Sequence, residues 1–89
     1  MDYNKFIEGK AEELQELRDE AIRGVDKAFS EGDSHLFDEA SSAFDGSSGL
    51  MDRLGELSAG QGISLDMVSE LTQAVELTRL EVQKVRALY

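Results

Sequence analysis

Histidine, cysteine and clustered carboxylates do most of the chemistry in proteins, and this chain holds little of it in usable spacing. His35 is the single histidine and cysteine is absent, so no histidine pair, Cys–His couple or thiolate set exists to bind a metal or activate a nucleophile. His35 itself reads as a solvated residue in the first turn of a helix, with a pH-sensitive contact as its alternative role. Asp45 and Glu56 stand at the separation of the first and last ligands of a calcium loop. The glycine required at its sixth place is Leu50 here, and the third and fifth places are Ser47 and Gly49, so calcium is excluded. Gly46-Ser47-Ser48-Gly49 lacks the lysine and the preceding strand of a phosphate loop. Glu12, Glu13 and Glu16 read as a solvated helix face. The expectation is a protein that is not an enzyme and uses no cofactor, metal or small-molecule substrate.

The elements that carry these residues are helical. The 89 residues include no proline and no tryptophan, and they are rich in Leu, Ala, Glu, Gln and Arg. A chain this short forms one domain, residues 1–89, close to the size where a core alone suffices. The first helix is expected over about residues 4–30. Tyr3, Ile7, Leu14, Leu17, Ala21, Val25 and Ala28 share a face, with Phe6, Ile22 and Phe29 beside it. Lys10 interrupts that face, Asp19 and Arg23 are spaced to pair, and Gly24 suggests close approach of a neighbouring helix. Glu31-Gly32-Asp33-Ser34 stops this helix and caps a second, expected over 34–57 and antiparallel to the first. Asp45-Gly46-Ser47-Ser48-Gly49 is turn chemistry within it. The apolar phase survives that insertion, so a continuous helix with a weak point is favoured over two pieces. Ser58 to Gly62 reads as a flexible connection.

The third helix, about 64–88, is the best specified. Ser64 caps it, Asp66 complements its dipole, and Ile63 is placed to staple against Val68. Val68, Leu71, Val75, Val82, Val85 and Tyr89 follow alternating three- and four-residue steps, with Thr78 in the one polar slot. These six apolar residues are the candidate partner-binding set, serving either as core or as a face for another chain. Leu65, Ala74, Leu77, Leu80 and Leu88 widen the apolar surface beyond a narrow stripe. The expected fold is all-α: a small three-helix bundle, or a helical hairpin plus a third amphipathic helix that docks on a partner.

Charge narrows the partner. Of the net −10, residues 1–27 carry −3, residues 28–66 carry −7 and residues 67–89 carry zero. The acidic middle disfavours nucleic acid and anionic membrane surfaces. Met1–Lys10 holds no apolar run fit for a signal peptide, and no later run fits a membrane span. A cytoplasmic protein is expected, with export by a signal-less route left open.

Ile63, Ser64, Met67, Ser69 and Val75 resemble the last helix of inner-rod subunits of bacterial type III secretion systems. The helices around Glu31-Gly32-Asp33, with Phe37, Phe44 and Leu50, are similar to the hairpin of needle co-chaperones and needle subunits. This resemblance implies helix-in-groove binding of another secretion subunit through the last helix. From the residues themselves the leading expectation is a helical protein–protein interaction module: an adaptor, small chaperone or assembly subunit that binds another protein or itself. The alternative is an acidic decoy that blocks a basic, nucleic-acid-binding surface of another protein through Asp33, Asp38, Glu39, Asp45, Asp52 and Glu56.

Overall fold

In the computed structural model, which describes residues 3–58 and 64–88, helix is interrupted between residues 3 and 58 at Gly32 and Asp33 alone. Gly32 takes φ +67°, the left-handed conformation that a side chain opposes. The amide of Asp33 then donates back to Ala28 O at 3.0 Å, closing the six-to-one bond of a glycine helix stop. Asp33 also starts the next helix, its Oδ1 accepting from the Leu36 amide at 3.0 Å. These two residues separate α1 (Tyr3–Glu31) from α2 (Ser34–Ser58); α3 (Leu65–Ala87) completes the fold. Ser64 caps α3 as expected, Oγ accepting from the Met67 amide at 3.2 Å. The proposed staple of Ile63 on Val68, the 58–62 connection beyond Ser58, and Tyr89 lie outside the described residues.

Ion pairs between helices show their directions. Arg79 reaches Glu13 at 3.0 Å and Arg86 reaches Glu20 at 3.2 Å, so α3 runs parallel to α1. Arg53 pairs with Glu70 at 3.1 Å, and Gly46 lies against Thr78 and Glu81, so α2 runs opposite to α3. The result is an up-down-up three-helix bundle measuring 45 × 19 × 16 Å. Its length is that of α1, whose 29 residues span about 43 Å at 1.5 Å each.

Three heptad-like seams meet in the core. α1 buries Leu14, Leu17, Ala21, Gly24 and Ala28; α2 buries Leu36, Ala40, Ala43, Ser47, Leu54 and Leu57; α3 buries Leu71, Val75, Thr78, Val82 and Val85. Half-buried Leu50 fills the step between Ser47 and Leu54. Counted outward from the turn, Ala28, Gly24 and Ala21 sit at levels matching Leu36, Ala40 and Ala43. Five of these six side chains are small, and α1 with α2 forms the most extensive contact of the bundle. Gly24 is buried within this contact.

The break considered at 45–49 does not occur. α2 is one helix of 25 residues, and Ser47 is fully buried with its hydroxyl donating to Phe44 O at 2.9 Å. Thr78, the polar slot of α3, likewise donates to Ala74 O at 3.0 Å. Both buried hydroxyls are therefore satisfied by their own helix, which removes the cost of placing them in a core. Asp19 differs from expectation: it accepts from Gln15 Nε2 at 3.0 Å rather than pairing with Arg23. Among the described residues no helix is long and apolar enough to cross a membrane.

Candidate protein-interaction surface

α3 presents two opposed apolar faces, and the fold uses one of them. Leu71, Val75, Val82 and Val85 of the candidate partner-binding set are at most 2% exposed, enclosed by α1 and α2. Val68 is half-buried near the start of the helix, and Tyr89 lies outside the described residues. Of the two roles open to this seam, the structure gives it the core. The reason is geometric: α1 and α2 each carry a matching three-four seam, and three such seams close on one another.

The other face is the one left uncovered. At 100° per residue, Leu77, Leu80, Lys84, Ala87 and Leu88 fall within an arc of about 100° centred about 150° from the core residues, with the polar Asp66, Ser69, Glu70 and Gln73 on the same side nearer the helix start. Leu77 is 64% exposed, Leu80 47% and Leu88 42%. A shallow, solvent-open depression lies among Leu77, Leu80, Glu81, Gln83, Lys84 and Ala87, all of them on α3. Leu77, Leu80 and Leu88 stood out in the sequence only as a widening of the seam. Their phase, about 100–180° away from Leu71 and Val75 at 100° per residue, is the signal that they form a separate face. Ala74, grouped with them there, turns towards the core and is half-buried.

Cations are distributed unevenly around this face. Arg79 holds Glu13 of α1 and Glu76 of its own helix at 3.0 and 3.1 Å, and Arg86 holds Glu20. Both guanidiniums are thus turned to the α1 side. Lys84 makes no ion pair among the described residues and stands in the middle of the outer apolar stripe. Glu81 lies at the α2 edge, where its Oε2 would be 3.7 Å from a Cβ on Gly46.

A second, smaller apolar patch lies at the hairpin end. Phe29 and Phe37 meet edge to face, centroids 5.2 Å apart, beside a cavity of about 260 Å³ lined by Ala28, Gly32, Asp33 and Ser34. Phe29 is 72% exposed there.

The acidic candidates occupy the outside of α2. Asp38, Asp45, Asp52 and Glu56 are exposed at spacings of seven, seven and four, forming a row along one edge. None of the four makes an ion pair among the described residues. Glu39 is half-buried, and Asp33 is committed to capping α2. Asp45 and Glu56, eleven residues apart on one straight helix, are separated by about 16 Å along its axis and cannot share an ion. No group of three His, Cys, Asp or Glu side chains among the described residues is placed to hold a metal. Gly46 to Gly49 lies within α2, where amides are spent on the helix and cannot cradle phosphate. His35 is exposed near the start of α2.

Comparison with protein-family models, with curated proteins and with solved structures finds no match to this chain.

Proposed function

We propose that the protein is a non-enzymatic helical interaction module, an adaptor, small chaperone or assembly subunit, that binds a protein through the outer face of α3. One observation carries this reading. The bundle closes its core with one face of α3 and still leaves Leu77, Leu80 and Leu88 exposed as a stripe on the opposite face. Isolated surface leucines are ordinary, but exposed leucines sharing one side of a helix offer an apolar ridge to a partner. On the resemblance to small secretion proteins, the bound chain is another secretion subunit, and the outer face rather than the buried seam receives it.

The test is a Leu77→Lys, Leu80→Lys double variant. Both side chains are solvated, so helical circular dichroism and thermal midpoint should stay near those of the unaltered protein, while capture of the bound protein from source cells falls at least about tenfold. Equal capture by both proteins would overturn the reading.

The row Asp38, Asp45, Asp52 and Glu56 favours a second reading, an acidic decoy for a basic nucleic-acid-binding surface. Such binding rests on screened charge and weakens steeply between about 0.05 and 0.5 M salt. Affinity for a basic partner that is flat across that range would eliminate it.

A further inference from the structure

We propose that the outer face of α3 pairs with the same face of a second copy of this chain, antiparallel, about a two-fold axis passing between Glu81 and Lys84. The inference deepens the interaction-module reading and rests on it, since it names what covers the stripe. Charge selects the occupant. Two copies each carrying −10 repel through most of their surfaces, but with Arg79 and Arg86 turned to α1 the outer face between Leu77 and Leu88 carries one anion, Glu81, and one cation, Lys84, so two copies approach there at least cost.

The stripe is also complementary to itself. It is apolar at both ends and charged in the middle: Leu77 and Leu80, then Glu81 and Lys84, then Ala87 and Leu88. A two-fold axis midway between Glu81 and Lys84 sets Leu77 against Leu88 of the second copy and Leu80 beside Ala87 of the second copy. The same operation brings Lys84 to Glu81 of the second copy, twice over. Because a perpendicular two-fold keeps the α2 edge of one copy on the α2 edge of the other, Glu81 sits on the side Lys84 can reach. Lys84 has no ion-pair partner within its own chain among the described residues, which leaves it available for that contact. A parallel pairing would instead set like charges side by side.

The contact is small. From Leu77 to Leu88 the stripe runs about 16 Å along a helix about 10 Å wide, below the size of a standard stable interface, so dissociation in the region of about 0.1 mM is expected. Sedimentation equilibrium from about 10 µM to about 1 mM at 0.15 M salt covers that range. The unaltered chain should show a monomer–dimer equilibrium. Glu81→Lys leaves both central residues cationic and Lys84→Glu leaves both anionic, so each variant alone should weaken association at least about tenfold. Mixed in equal amounts, the two single variants should associate with each other, and Glu81→Lys combined with Lys84→Glu in one chain should recover self-association. Circular dichroism of each variant checks that the bundle is intact.

A chain that stays monomeric up to the highest concentration overturns the proposal. So does dimerisation that neither charge change affects, or failure of the mixture to recover it. A monomeric chain whose capture of a different protein is still abolished by Leu77→Lys, Leu80→Lys would remove the second copy as the occupant and leave the interaction-module reading in place.

Discussion

Glycines in these helices differ in what they do, and the difference is measurable residue by residue. At Gly32 the backbone is left-handed, and Gly32→Ala should cost about 1–2 kcal/mol because Cβ then crowds the following carbonyl. Gly49 is the opposite case: it sits inside α2 with nothing within 4 Å of an added Cβ. Gly49→Ala should therefore stabilise by about 0.5–1 kcal/mol, raising the thermal midpoint by a few degrees. Next to it, Ser48 buries Oγ without a hydrogen-bond partner. Ser48→Ala should add a comparable gain by removing that unmet group. Thermal melts of the three variants check both signs, and a stabilised Gly32→Ala would contradict the account of the turn.

At the level of elements, most of the fold could be read directly. Expected helices at about 4–30, 34–57 and 64–88 correspond to Tyr3–Glu31, Ser34–Ser58 and Leu65–Ala87. Local chemistry marks these bounds: Gly32 and Asp33 at the turn, and Ser64 at the start of α3. Continuity of α2 was legible because Ala43, Ser47 and Leu50 keep phase, and tertiary packing against α3 overrides the turn propensity of Asp45 to Gly49. What one helix cannot reveal is which of its two apolar faces finds a neighbour. Leu71, Val75, Val82 and Val85 were equally consistent with core or partner face until the seams of α1 and α2 were seen to close on them. The two helices sharing a two-residue turn and small facing residues hold each other more extensively than either holds α3. Amide exchange should accordingly be faster along α3 than at the centres of α1 and α2 in the free protein. Leu71→Ala, emptying a fully buried site, should cost about 2–4 kcal/mol in denaturant unfolding.

For the molecule as a whole, charge sets the response to solvent. Six ion pairs are formed among the described residues, all on partly exposed side chains, and surface pairs contribute little each. The net −10 acts over the entire rod, so its self-repulsion should dominate. Raising salt from about 0.02 to about 0.3 M should therefore increase the thermal midpoint, and a decrease would mean that the ion pairs outweigh the repulsion.

The shared three-four step of the seams has a consequence for how such a molecule can change in length. Inserting a single residue within α1 or α2 rotates everything beyond it by about 100° and takes the downstream core side chains out of the seam. Seven residues added at one level in α1 and seven at the matching level in α2 restore the phase almost fully and extend the hairpin by about 10 Å. The architecture is thus modular along its axis: whole modules fit, three- or four-residue steps bend the winding, and single-residue steps break the core.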